Sequence, residues 1–284
     1  MTDVKDSRAE VFISVDELAD RLSTDRKLVM LDIRQQDGVD GLGNYLAAHI
    51  PGAVYVEFET ELAGEPHGFS GRRPLPAIDI LQRDLRRWGI EEDSAVVIYD
   101  DAKGTQAARA WWVLRWAGLA DVLLLDGSFS AWTRSGRSVT GEVGLRKRST
   151  IAISGGHMPV LNADQAASIA RSSLLVDARG AAAYRGEDGP RGGHIPGATN
   201  LPTTDNLDKD TGLLLSPEAL RTRFKEAGID GSREIGVYCG GGVAGSHEVA
   251  ALASIGITAA LFPGSWSAWR SDPSRPIATG SEPG

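Results

Sequence analysis

Two stretches of this chain repeat one another 145 residues apart: Ala48-His49-Ile50-Pro51-Gly52-Ala53 and Gly193-His194-Ile195-Pro196-Gly197-Ala198. Working outward, Leu31-Asp32-Ile33-Arg34 answers Val176-Asp177-Ala178-Arg179 at the same offset. Val97-Ile98-Tyr99-Asp100 answers Gly236-Val237-Tyr238-Cys239, and Gly127-Ser128-Phe129-Ser130-Ala131-Trp132 answers Gly264-Ser265-Trp266-Ser267-Ala268-Trp269. By the last pair the offset has shrunk to 137 residues, so the first copy carries small insertions. Four matches in one order mark an internal duplication. A chain of 284 residues is long enough for the two domains this implies. The division is a first domain over residues 1–136, a linker over 137–159 and a second domain over 160–284.

Each copy reads as short strands alternating with helices. Ser14 before Val15-Asp16-Glu17-Leu18 predicts a capped helix, its hydroxyl meeting free N–H groups of the first turn and Glu17 closing a capping box. Residues 28–33, 96–99 and 122–125 are apolar runs of the length of buried parallel strands. Residues 106–116 have helical periodicity and stop at Gly118. In the second copy Asn162 caps a helix, 174–177 and 235–238 are strands, and 243–254 is helical up to Gly256. This alternation gives an α/β fold, a parallel sheet in each domain covered by helices on both faces. Within the linker, Arg146-Lys147-Arg148 reads as part of a solvated connector.

Composition narrows the class. The chain is 42% hydrophobic and 24% charged, that of a globular protein. A net charge of −8 argues against nucleic acid or an anionic membrane as partner. No apolar run approaches a membrane span, and the first ten residues lack a signal peptide's apolar core, so the expected location is cytoplasmic. One cysteine makes no internal disulfide, and one Cys with scattered His offers no metal-ligand spacing. No cofactor is expected. A monomer with small-molecule partners is the expected state.

That cysteine sets the chemistry. Cys239 ends an apolar run and enters Gly240-Gly241-Gly242-Val243-Ala244, just ahead of a helix-forming stretch. Glycines let successive N–H groups curl toward one atom, and a helix N-terminus adds partial positive charge that stabilises a thiolate. The first copy has Asp100 at this place and lacks the triple glycine. Only the second copy has a nucleophile, and the first supplies a wall of an interdomain cleft. Features present in both copies are read as structural: His49 and His194, the Asp-x-Arg pairs and the terminal tryptophans.

Taken together these residues resemble the two-domain rhodaneses, the thiosulfate and 3-mercaptopyruvate sulfurtransferase family. The resemblance spans both copies and includes Gly71-Arg72-Arg73-Pro74-Leu75-Pro76, similar to a first-domain segment of bacterial members. It implies two tandem rhodanese-like domains and covalent catalysis by Cys239, which takes sulfur as a persulfide and passes it to cyanide or a thiol acceptor. The loop departs from both subgroups. Mercaptopyruvate enzymes read Cys-Gly-Ser-Gly-Val-Thr, whereas Gly241 and Ala244 replace the Ser and Thr here. Animal thiosulfate enzymes read Cys-Arg-Lys-Gly-Val-Thr, whereas Gly240 and Gly241 carry no charge. Thiosulfate is the less demanding donor, because sulfite leaves without needing a proton. Positive charge for the donor must then come from elsewhere, and Arg185 and Arg191 are the nearest substrate-binding candidates. His247, eight positions past the thiol, is expected to be exposed or satisfied in the core. Glu57 occupies the place of an acidic residue in mercaptopyruvate enzymes, with its intermediary Ser absent. A Cys-loop phosphatase is disfavoured, as no arginine follows between Cys239 and Ser246 to grip phosphate oxygens. The alternative from a different class is a persulfide carrier or regulatory sulfur-binding module with little turnover.

Overall fold

The structure is a computed structural model, which describes residues 7–34, 40–144 and 146–284. In the first domain the chain runs β1 (Phe12–Ile13), α1 (Val15–Thr24), β2 (Val29–Asp32), α2 (Gly41–Ala47), β3 (Ala53–Tyr55), α3 (Phe58–Glu61), α4 (Ile78–Arg87), β4 (Val96–Tyr99), α5 (Thr105–Trp116), β5 (Val122–Leu125) and α6 (Ser128–Arg134). The second has α7 (Ala163–Ser172), β6 (Leu174–Asp177), α8 (Ala181–Arg185), β7 (Ala198–Asn200), α9 (Pro217–Glu226), β8 (Ile235–Tyr238), α10 (Ala244–Ala253), β9 (Ala260–Leu261) and α11 (Ser265–Ser271), with a 3-10 turn at Thr203–Asn206. The sheets are parallel throughout, ordered β1-β5-β4-β2-β3 and β7-β6-β8-β9. Val160 makes an isolated parallel bridge to Leu261, at the edge where the first domain has β1.

Local chemistry explains the ends. Ser14 and Glu17 form the expected capping box on α1, and Asn162 and Gln165 form its counterpart on α7. The Asp-x-Arg pairs pin loops. Arg34 grips Asp32 and donates to Ala48 O at 2.5 Å, while Arg179 grips Asp177 and donates to Gly193 O at 2.6 Å. His49 and His194 are buried and stack on Tyr45 and Tyr184, with centroids 3.9 and 3.7 Å apart. Carbonyl oxygens bracket both nitrogens of each ring: Tyr45 O and Glu142 O for His49, Tyr184 O and Pro283 O for His194. The duplicated histidines therefore close turns and do no chemistry. Trp132 and Trp269 are buried anchors whose indoles donate to Ser138 O and Pro276 O.

The linker differs from the expected solvated connector. Arg146 donates to Leu28 O and Gly52 O, Ser149 and Ile151 are buried, and Thr140 bridges His49. Backbone groups that would otherwise stay unpaired draw this strap onto the first domain. Lys147 and Arg148 remain exposed.

Helices α5 and α10 pack on each other across the domain boundary. Residues 107–114 and 245–252 are buried without a break, as expected of helices enclosed on all sides. One apolar cluster consequently runs through both domains, from Trp111, Trp112 and Leu114 to Val249 and Leu252. A seam of this kind fixes the first domain against the loop that opens α10.

Candidate active site

Cys239 leaves the carboxyl end of β8, beside the point where strand order reverses between β6 and β8. Crevices at such points are where open parallel sheets bind ligands. Cys239 is 2% exposed. The loop behind it is tied to α11. Ser265, held at φ 53 in its turn, accepts at Oγ from Cys239 N–H at 3.1 Å and Gly242 N–H at 3.0 Å. Cys239 O and Gly240 O accept from Trp266 N–H and Ser267 N–H, both at 2.9 Å. With the carbonyls engaged, the N–H groups of Gly240, Gly241, Val243 and Ala244 have no acceptor among the described residues. Gly241 is buried and the other three are half-buried, and four such free N–H groups leading into a helix start make an anion cradle.

The first domain shows what such a cradle holds. Asp100, at the end of β4, turns its carboxylate into its own loop and accepts from the N–H groups of Ala102, Gly104, Gln106 and Ala107 at 2.9–3.0 Å. Ser128, the counterpart of Ser265, donates to it at 2.9 Å. Burial pushes the Asp100 carboxyl up, and these donors pull it back. The loop of the first domain is thus an anion cradle filled by its own side chain.

Arginines lie against the Cys loop, though not Arg185 and Arg191. Arg185 pairs with Glu187 on the surface, and Arg191 donates to Asp272 O at 3.2 Å, so the hydrogen bonds of both candidates lie outside the Cys loop. Two first-domain arginines lie against the loop instead. Arg109 on α5 is fully buried and donates to Leu62 O, Arg73 O, Pro74 O and, at 3.5 Å, Gly242 O. Burial lowers its pKa to about 10, while the Cys239 charge acts the other way. It therefore stays cationic at neutral pH, a buried positive charge beside a cysteine. Arg72, itself exposed, reaches over Gly240 and Gly241 from the half-buried segment 71–73. Arg109 sits in a helix of the copy without a nucleophile, and nothing in the linear pattern links it to residue 242.

His247 is satisfied in the core: its Nδ1 lies 2.8 Å from Thr203 Oγ1, and burial lowers its pKa to about 4. Its neighbour Glu248 accepts from Asn206, and burial raises it to about 7. Glu57 accepts from Tyr55 O–H at 3.1 Å, and its own N–H donates to Glu61. These contacts give neither His247 nor Glu57 a hydrogen bond to the thiol or its loop.

The three glycines are not equivalent. Gly242 has φ +76, and a β-carbon there would lie 2.5 Å from Pro263 O and 2.9 Å from Arg109 Nη1. At Gly240 and Gly241 the nearest atoms would be 3.5 and 3.8 Å away, at ordinary φ. Gly242→Ala is expected to cost about 1–3 kcal/mol in stability and on the order of 100-fold in turnover by splaying the amides. Gly240→Ala and Gly241→Ala should keep wild-type stability and persulfide formation. Thermal melts and single-turnover assays on the three variants check this, and equal losses in all would contradict it.

Among the described residues no group of three or more His, Cys, Asp or Glu is placed to hold a metal, and no helix is long and apolar enough to cross a membrane. A thiol at a helix start, in a cradle of free amides with guanidinium groups beside it, defines a Cys-loop transferase site on a tandem α/β scaffold. The rhodanese-like domain profile matches residues 14–135 and 162–272, and the chain belongs to that family. It is a sulfurtransferase of the two-domain kind. It is 42% identical to the putative thiosulfate sulfurtransferase SseB of Mycobacterium tuberculosis, over 97% of this chain and 99% of that one. It is 41% identical to the probable 3-mercaptopyruvate sulfurtransferase of Pseudomonas aeruginosa, over 94% and 98%. The crystal structure of the 3-mercaptopyruvate sulfotransferase SseA from Escherichia coli superposes with a TM-score of 0.80 at 28% identity, over 90% and 98%.

Proposed function

We propose that Cys239 carries sulfur as a persulfide, with thiosulfate as the preferred donor and cyanide or a thiol as acceptor. The Cys239 thiolate attacks the outer sulfur of thiosulfate. The donor's S–S bond breaks, its electron pair leaves with sulfite, and Cys239 holds a terminal S⁻. Cyanide or a thiolate then attacks that terminal sulfur and restores the thiolate. Each half-reaction conserves charge and needs no added oxidant, and the cycle is ping-pong.

The observation that carries this reading is the Asp100 cradle. A persulfide places its charged atom two bonds beyond Cβ, as a carboxylate does. Two of the donors to Asp100, the N–H groups of Ala102 and Gly104, have counterparts in Gly241 and Val243, which are free among the described residues, whereas Ser246, the counterpart of Ala107, donates to Val243 O. Such fixed donors favour the persulfide anion and the transition states on either side of it.

Thiosulfate is favoured over 3-mercaptopyruvate by the lack of a proton source. Among the described residues, the hydroxyl of Ser265 is the one that reaches Sγ, at 3.9 Å, and its proton has a closer acceptor in Phe262 O at 2.8 Å. His247 is turned to Thr203. Pyruvate leaves as an enolate that an acid would assist, whereas sulfite leaves as a stable anion. The test is kcat/KM for the two donors under one acceptor, with intact mass to detect sulfur on the protein. Thiosulfate should give the higher value. A clear preference for 3-mercaptopyruvate would overturn the donor assignment, and persulfide formation with negligible turnover from either donor would make the protein a carrier.

A further inference from the structure

The backbone of Arg72 is pinned while its head is left free. Gly71 has φ +86, and a β-carbon on it would lie 2.5 Å from Gly264 O, so only glycine lets this first-domain segment lie on the turn that opens α11. The Arg72 N–H then donates to Ser267 Oγ at 3.0 Å, and that hydroxyl donates to Gly264 O at 2.9 Å. Arg73 next to it is committed, its guanidinium bound to both oxygens of Glu59 at 2.9 and 3.0 Å. The Arg72 guanidinium, by contrast, has no hydrogen-bond or ion-pair partner among the described residues. Its Nη2 lies 3.5 Å from where a Gly240 β-carbon would be, and its Nε and Nη2 lie 3.8 Å from the same point on Gly241. It thus occupies the space that side chains on the two residues after the nucleophile would fill.

We propose that Arg72 binds the anionic end of the sulfur donor from across the domain cleft. A planar guanidinium presents two parallel N–H groups to two oxygens of a sulfonate or a carboxylate. Held by its backbone above the loop, it can keep that end of the donor outward while the sulfane sulfur faces Cys239. The two uncharged glycines leave room for this arrangement, and the missing loop cation is supplied in trans. The proposal rests on Cys239 taking sulfur from a small anionic donor, but not on which donor that is.

The test separates the half-reactions. Sulfur loading from thiosulfate and from 3-mercaptopyruvate is followed in single turnover for wild type, Arg72→Ala, Arg72→Lys and the double variant Arg72→Ala/Gly241→Lys. Discharge of preloaded enzyme by dithiothreitol, which is uncharged, is followed in parallel. Arg72→Ala is expected to lower the second-order loading constant about 10- to 100-fold, the range of charge-assisted hydrogen bonds, and to leave discharge and thermal stability unchanged. Arg72→Lys should recover part of the loss. The lysine at 241, for which the structure has room, should recover more of it in the double variant. Loading of Arg72→Ala at the wild-type rate would overturn the proposal. So would equal slowing of both half-reactions, which would assign Arg72 to the fold or to access. Failure of the donor reading shows in the wild type itself, whereas failure of this proposal shows only in the ratio of variant to wild type.

Discussion

Replacing Cys239 by serine is expected to abolish sulfur transfer completely. A hydroxyl at this site has neither the nucleophilicity of a thiolate nor the ability to hold a second sulfur. The variant should gain no mass on incubation with thiosulfate and should form no thiocyanate with cyanide, while it melts like the wild type. Cys239→Asp is the informative companion. Its carboxylate is expected to enter the second cradle as Asp100 enters the first, accepting from the N–H groups of Gly241 and Val243, the free counterparts of Ala102 and Gly104. That variant should be equally inactive and at least as stable as Cys239→Ser. A Cys239→Ser protein that still acquired sulfur would remove Cys239 from the mechanism, and a Cys239→Asp protein much less stable than Cys239→Ser would refute the equivalence of the two loops.

Arg109→Met is expected to have the next largest effect. Arg109 joins the domains by donating to carbonyls of both. Methionine fills much of the volume but leaves Leu62 O and Arg73 O without a donor, while Pro74 O keeps Gly64 N–H and Gly242 O keeps the Ser246 hydroxyl, and it takes a cation from beside Cys239. Unsatisfied buried groups cost about 1–3 kcal/mol each, so a loss on the order of 3 kcal/mol in stability is expected. Reaction of Cys239 with iodoacetamide at neutral pH should slow by about tenfold or more as the thiolate loses its neighbour. Arg109→Lys separates the two roles. It keeps the charge, so the alkylation rate should largely survive, but it cannot span the same carbonyls and stability should still fall. If Arg109→Met alkylated at the wild-type rate, the arginine would be a structural clasp alone.

These expectations show which residues declare their role along the chain. The candidate nucleophile is a local pattern, a lone cysteine between an apolar run and a helix start. So are the strands at 96–99, 122–125, 174–177 and 235–238 and the capping boxes, which rest on neighbours a few positions apart. The arginines are not. Arg185 and Arg191 were chosen for nearness along the second copy, yet their hydrogen bonds run to Glu187 and Asp272. Arg72 and Arg109 reach the Cys loop from the first domain because α5 and α10 are packed together. The linker is opaque for a related reason: its polar composition conceals hydrogen bonds to Leu28 and Gly52, which lie far back in the chain.

The sequence by itself determined the duplication, the parallel α/β class of each half, and the place of the single cysteine at the end of a strand. Those are set by repetition and by short-range chemistry. Tertiary structure alone decided which glycine the loop cannot lose, where the loop's cations come from, and that Asp100 occupies a cradle of the same construction. Each of these depends on atoms tens or hundreds of residues apart being brought within a few ångströms, and side-chain reach in a packed interface leaves no periodic trace in the order of residues.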